Sequence, residues 1–491
     1  MSSNEIEFRE LVSRIFDEYI NNEMPARLLR LHPDKGSIET IEVIDRFSLR
    51  SYYEPTVNEI REDDVVPNAG EEWEDAIIRL IKGKIRYAIL SHRWVNGDSE
   101  TSFQYMQSKV EVESFDWHVG GLRKLYAFCQ KARNDFNCSF AWCDMCCIDK
   151  TSSSELDEAI RSMFRWYRNS HICITYLPET DSMDDLAKEE WFKRGWTLLE
   201  LLAPFRMKFY GKLWVPLRPL HESENDKCDS ILQEISRITR IPETDLKAFT
   251  PETNRVQEKM VWASSRRTTR VEDIAYSLIG IFDVSLMVAY GEGKRAFYRL
   301  MEAIMQRCDH WEIFSWKGSC SSYNAALPSD PSCYPAVENT GNFDAEEQIN
   351  NEHYIIGDRL FSLTNHGLKI KVLLVRVEKV RETVVEGTYG SRKRLVFSQG
   401  ALGDVELTCM HYKHEPRMEW AFGIIDFWQQ YGGGTLAFLD PCRRSRPYTA
   451  FLLSYHPNAS PDARWRKEMT EGVVHIWPQR HMVDSLTLLY L

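Results

Sequence analysis

The stretch Trp191–Pro204 holds the residues of this chain best placed by type and spacing to do chemistry. Trp196 and Glu200 stand four positions apart, so in a helix they share a face. The segment reads as a helix that Pro204 stops. Leu198, Leu199, Leu201, Leu202 and Ala203 surround the acid. A carboxylate in so apolar a helix is costly unless it reaches solvent, finds a partner or has a task. The structural reading is an ion pair, with Arg194 or Arg161 as partner. The chemical reading is a carboxylate that stabilises developing positive charge or holds sugar hydroxyls.

Further candidates stand at the ends of apolar runs. Ser91-His92-Arg93-Trp94 follows one such run. There Arg93 could meet a phosphate and Trp94 could stack on a flat ring, or the pair could simply bind Asp98 and fill a gap. Ser91 and His92 form no nucleophile–base pair, because adjacent strand residues diverge. Asp144 lies within or at the end of a second apolar run, where it suits a ribose hydroxyl or a helix cap. Asp149 reads more simply as a cap. Cys143, Cys146 and Cys147 are too few for a structural zinc site without His171 or Cys173, so small buried side chains are expected and no metal is assigned. Tyr290-Gly-Glu-Gly-Lys294 lacks the spacing of a triphosphate cradle and reads as a turn before a helix. The arginines of Ser264–Asp273 either line an anion site or pair with Glu272 and Asp273.

These residues need strands and helices to position them. Arg86–Ser91, Phe140–Ile148, His171–Leu177 and Met207–Trp214 read as strands. Gly121–Asn134 and a helix opened by Ser152 and Glu155 at capping-box spacing connect them. Alternating strand and helix imply a parallel sheet with right-handed crossovers, whose ligands lie beyond the carboxyl ends of the strands. Residues 1–85 are expected to pack on that core, and residues 86–230 to form the α/β domain. Residues 231–314 read as a helical extension and 315–353 as a linker or long loop. Residues 354–491 read as an antiparallel β domain, with Leu368, Ile370, Val372 and Leu374 at period two.

At 491 residues, several domains are expected. A net charge of -12 argues against a general nucleic-acid partner but leaves room for a local basic pocket for a phosphorylated small molecule. No secretory leader and no apolar run of membrane-spanning length is seen, so a cytoplasmic protein without a membrane partner is expected. The twelve cysteines follow no staple pattern and read as free thiols.

Four blocks, Tyr87–Trp94, Trp142–Lys150, Ala159–Arg168 and Arg194–Pro204, stand in an order that resembles the fungal heterokaryon-incompatibility (HET) domain. Leu199 departs from the Gln expected before the acid. Met260–Ala296 resembles the helical extension that often follows this domain. The resemblance implies a TIR-like three-layer α/β domain, since the HET domain is thought to be distantly related to the Toll/interleukin-1 receptor domain. It also implies cleavage of NAD at the nicotinamide ribosyl bond, with the catalytic glutamate in a Trp-x-x-x-Glu arrangement that Trp196 and Glu200 fit. Around NAD as substrate, Trp196 or Trp94 would stack on a ring, Arg93 would meet the pyrophosphate, Ser91 and His92 would border the cleft, and Asp144 would hold a ribose or water. No metal is required. Such proteins are linked to self/non-self recognition and regulated cell death, and to self-association or an activating partner. Three function classes follow: an NAD glycohydrolase, a non-enzymatic TIR-like signalling or assembly module, and a ribosyl transfer to another acceptor.

Overall fold

The computed structural model describes residues 3–34, 37–94, 101–108, 120–228, 230–308, 310–336, 361–387, 390–399, 403–409, 418–426, 430–432, 435–437, 447–457, 464–477 and 486–491. Asp98 and most of the expected linker lie outside the described residues. The chain divides into two compact units. The first comprises residues 1–251, 266–269 and 276–288; the second comprises 252–265, 270–275 and 289–491. The segment read as a helical extension is thus divided between them.

The first unit is built on a six-stranded mixed sheet. Its strands are β1 (Arg27–Asp34), β2 (Ser37–Asp45), β3 (Tyr87–His92), β4 (Phe140–Trp142), β5 (Ile172–Tyr176) and β6 (Met207–Tyr210), in the spatial order β2-β1-β4-β3-β5-β6. β3 pairs in parallel with β4 and β5, and β5 with β6. β1 joins antiparallel to both β4 and β2. Helices α1 (Ser3–Glu23), α2 (Arg46–Val57), α3 (Trp73–Lys84), α4 (Phe103–Ser108), α5 (Gly120–Asn134), α6 (Ser153–Asn169) and α7 (Thr197–Leu202) belong to this unit.

The central strands form where the apolar runs are uninterrupted. Tyr87, Ala88, Ile89 and Leu90 are all buried, as are Ile172, Cys173 and Ile174. Such strands need cover on both faces. α6 begins as its capping residues dictate: Ser152 accepts a hydrogen bond from the backbone N–H of Glu155. Successive parallel strands lie on either side of β3, so the chain direction across the sheet reverses between β4 and β5. Ligand sites of open parallel sheets form at that switch point, beyond the carboxyl ends.

The second strand is shorter than its sequence suggests. Apolar residues continue to Ile148, but the strand stops at Trp142, because the N–H of Cys147 bonds back to the carbonyl of Cys143 at 3.0 Å and curls the chain into a turn. Past β6, Lys208 and Asp226 form an ion pair of 2.9 Å with both side chains fully buried. The remaining capacity of each is used: Lys208 also donates to the carbonyl of Ser223, and Asp226 accepts the N–H of Phe209.

In the second unit, every described strand pairing is antiparallel. One sheet holds β7 (Phe361–Thr364), β8 (Gly367–Arg376), β12 (Glu419–Ile424), β15 (Tyr448–Tyr455), β16 (Arg466–Lys467), β17 (Val474–Ile476) and β18 (Leu486–Tyr490); a second holds β9 (Lys379–Gly387), β10 (Gly390–Gln399) and β11 (Gly403–Thr408). β13 (Gln430–Gly432) and β14 (Thr435–Ala437) form a two-stranded ribbon. Leu373 and Val375 of β8, Leu395 and Phe397 of β10, and Phe422 of β12 share one core. The turn at Tyr290-Gly-Glu-Gly does not face a ligand. The N–H groups of Gly291 and Gly293 both donate to Glu272, at 2.8 and 3.0 Å, and the helix Arg295–Met305 follows.

Asp226→Ala would leave the Lys208 ammonium buried without its counter-charge. The expected loss is about 3–5 kcal/mol, read as a lower urea midpoint for the first unit, whereas a loss below about 1 kcal/mol would show that the pair is not a structural clamp.

Candidate functional site

Two hydrogen-bond chains start from adjacent residues at the carboxyl end of β3. Ser91 and His92 alternate across the strand, so each serves a different carboxyl group. On one side Trp191, from the short 3-10 turn Glu190–Lys193, donates its indole N–H to Ser91 Oγ at 2.9 Å. An indole N–H can only donate. The Ser91 hydroxyl proton is therefore free for Glu200 Oε2, which it meets at 2.5 Å. Ser91 and Trp191 are fully buried, and Glu200 is only 8% exposed.

On the other side His92 Nε2 lies 3.2 Å from Asp144 Oδ1, and Lys124 Nζ lies 3.0 Å from His92 Nδ1. An ammonium has no acceptor capacity, so Nδ1 accepts and Nε2 carries the proton toward Asp144. Trp94 donates to the second oxygen of Asp144 at 2.8 Å. Lys150 Nζ stands 3.5 Å above the Trp94 ring.

These surroundings drive the two carboxyl groups apart. Burial lifts Glu200 from the usual 4.5 to about 8; the Ser91 hydrogen bond offsets part of this, the Asp144 charge adds to it, and Arg194 and Arg266 pull down weakly. Burial also works against an ionised Asp144, but Lys150, His92 and Trp94 outweigh it and hold that group well below the usual carboxylate range. At neutral pH Glu200 is therefore mostly protonated while Asp144 is ionised. Such a divergence is how one site accommodates an acid and a base.

The helix that carries Glu200 is anchored by its approach. Thr197 Oγ1 donates to the carbonyl of Trp191 at 2.5 Å, and Arg266 donates to the carbonyl of Arg194 and to Thr197 Oγ1, both at 2.9 Å. Gly195 packs so tightly that a Cβ there would stand 2.4 Å from Thr268 Cγ2, which explains the glycine between Arg194 and Trp196. α7 itself is one and a half turns long, and the N–H of Glu200 bonds to the carbonyl of Trp196.

The structure brings Ser91 and Glu200 together, and separately His92, Trp94 and Asp144. The expected solvent-reachable hollow at Ser91 and Glu200 is closed over both residues. Arg93 is engaged by Glu179, and one face of Trp94 is occupied by Lys150. The ring that reaches Ser91 is Trp191 rather than Trp196. Arg161 pairs with Asp157, not with Glu200. Asp149 accepts from Thr151 and Gln104. Trp191, Lys124 and Lys150 were not singled out by sequence. Trp191 looks like core in an apolar run, and its partner is 100 residues away.

The three cysteines also differ from expectation. In a strand Cys146 would point away from Cys143 and Cys147, but the turn after Trp142 brings all three sulfurs within 4.8 Å of one another, and Cys143 and Cys146 approach to 3.0 Å. A closed zinc site wants four ligands, and among the described residues this group offers three. All eleven described cysteines are free.

With the geometry established, comparison with known proteins places it. Residues 87–186 match the family model described as heterokaryon incompatibility protein (HET). That span includes Ser91, His92, Trp94 and Asp144 and ends before Glu200. The chain is similar to vegetative incompatibility protein HET-E-1 of Podospora anserina, 39% identical over 238 residues, which is 46% of this chain. The match spans 16% of that protein's length. No solved structure matches. Among the described residues no helix is long and apolar enough to cross a membrane.

The raised pKa of Glu200 has a defined sign. Stability is fully present below the ordinary value of 4.5 and is lost as pH rises through about 8, because ionisation is penalised in the fold. Glu200→Gln removes that titration. The wild-type chain should lose roughly 2–5 kcal/mol relative to Glu200→Gln between about pH 5 and pH 9, measured by urea denaturation across pH. Parallel profiles would mean that Glu200 is ionised throughout.

Proposed function

We propose that the first unit is a signalling and assembly module of fungal self/non-self recognition whose reactive acid is held closed in the isolated chain. The likeness to the HET family and to a vegetative incompatibility protein supports the biological setting. The observation that carries the closed state is the Ser91 hydroxyl seated on Glu200, with Trp191 behind it. A buried, protonated acid with a hydroxyl in contact cannot supply negative charge to a substrate. Under this reading assembly with copies of itself or with an activating partner is the functional event.

A second reading, a TIR-like NAD glycohydrolase, is favoured by one specific observation: two carboxyl groups of opposite protonation flank the carboxyl end of β3, at the switch point of the parallel strands. Nicotinamide leaves as a neutral ring from a cationic nucleotide, and the ribose gains oxocarbenium character. Glu200 would stabilise that charge, and the incoming cation would itself favour the ionised form of the acid. Arg93, Trp94, Trp196 and Asp144 would hold the pyrophosphate, rings and ribose once the site opens. Neither a metal nor a second cofactor enters this chemistry.

The two readings separate in one assay. Dilute full-length chain mixed with NAD should release no free nicotinamide, while self-association measured by sedimentation rises with concentration. Release that appears only in the assembled state and is abolished by Glu200→Gln, with the fold intact, selects the enzymatic reading. Nicotinamide release by the dilute monomer would overturn the closed state, and release unchanged by Glu200→Gln would remove that residue from any catalytic role.

A further inference from the structure

The largest concentration of positive charge lies away from Ser91 and Glu200. α6 starts near the carboxyl end of β4 and delivers the chain to the amino end of β5, so its last turns lie at the opposite ends of the strands. Arg161, Arg165 and Arg168 recur at helical spacing on one face of it. With Arg46 they line a cavity of about 670 Å³, a volume in the usual range for small-molecule sites.

The charges on this wall are not equally compensated. Arg46 pairs with Glu158 at 2.6 Å, and Arg161 pairs with Asp157. Arg165 is only loosely matched, its Nη1 standing 3.9 Å from Glu23. Arg168 has no carboxylate partner among the described residues. Its Nη2 donates to the carbonyl of Phe249 at 2.5 Å, and its guanidinium lies 4.4 Å from the centre of the Phe205 ring. A half-buried guanidinium that meets only a carbonyl and aromatic rings lacks a counter-charge.

Neighbouring cations respond to this excess. Burial lowers Lys227 to about 7, and Arg168 adds to the effect. Burial also lowers Lys82, and Arg168 again contributes against Glu23 and Asp75. Burial and then Arg206 and Arg86 bring His171 down to about 4. A cluster of cations that suppress one another, in a chain of net charge -12, is a local positive field in a molecule that otherwise repels anions.

We propose that this cavity binds a small phosphate-bearing anion, gripped by the Arg168 and Arg165 guanidiniums. The planar fork of a guanidinium fits two phosphate oxygens at once, and the cavity admits a pyrophosphate-sized group. The aromatic rings beside Arg168 are already covered by it, so recognition rests on the phosphate rather than on a stacked base.

Inorganic pyrophosphate titrated into the full chain by calorimetry tests this, with potassium chloride at matched ionic strength as control. The expected result is saturable binding at one site per chain, weakened at least tenfold by Arg168→Met and several-fold by Arg165→Gln. Because Arg165 is exposed, its variant keeps the test valid should Arg168→Met fold poorly. Heat no greater than the chloride control, or binding indifferent to both substitutions, overturns the proposal. Binding to vesicles carrying inositol-phosphate headgroups without any response to free pyrophosphate overturns it too, since a cavity site must accept the free anion.

Discussion

The contact between Ser91 and Glu200 is the constraint on which the rest of the first unit turns. It joins the end of the central strand to a helix a hundred residues later, and it exists only because Trp191 fixes the direction of the serine hydroxyl. The elements around it are tied down for the same purpose. Gly195 lets the chain pass Thr268, Thr197 closes the turn that carries Trp191, and Arg266 braces both. An acid embedded in so apolar a setting stays protonated, and that protonation is what makes its burial tolerable.

Asp144 is the complement. It lies in a turn rather than in a strand, accepts from His92 and Trp94, and stays ionised beside Lys150. The two acids feel each other: the Asp144 charge helps to keep Glu200 neutral. Opening the Ser91 contact, or bringing a cation between the two groups, would shift that balance. A signalling module and a latent ribosyl-cleaving site therefore share the resting arrangement and diverge only once the contact has opened.

Much of this was legible in residue order. Unbroken apolar runs placed β3 and β5, the Ser152–Glu155 spacing placed the start of α6, and alternation at Leu368–Leu374 marked β8. Glu200 and Asp144 stood out because charges in apolar segments need reasons. Other features were hidden for physical reasons. Cys143–Ile148 is as apolar as a strand, yet a single backbone hydrogen bond from Cys147 turns it. Trp191 was indistinguishable from core because its polar atom meets a partner from a remote strand. The pairing of Arg93 with Glu179, and the capture of Glu272 by Gly291 and Gly293, are likewise tertiary contacts that no local pattern announces. The basic cavity draws Arg46 from α2 and three arginines from α6, so its charge becomes visible only once these helices are in place.

The most direct test of the central claim is the protonation state of the one acid. Infrared difference spectroscopy of the carboxyl C=O stretch, wild type minus Glu200→Gln, isolates it. A protonated carboxyl band should be present at about pH 6 and vanish as pH rises through about 8. No such band anywhere above about pH 5 would mean an ionised Glu200 and would contradict the closed, neutral site described here.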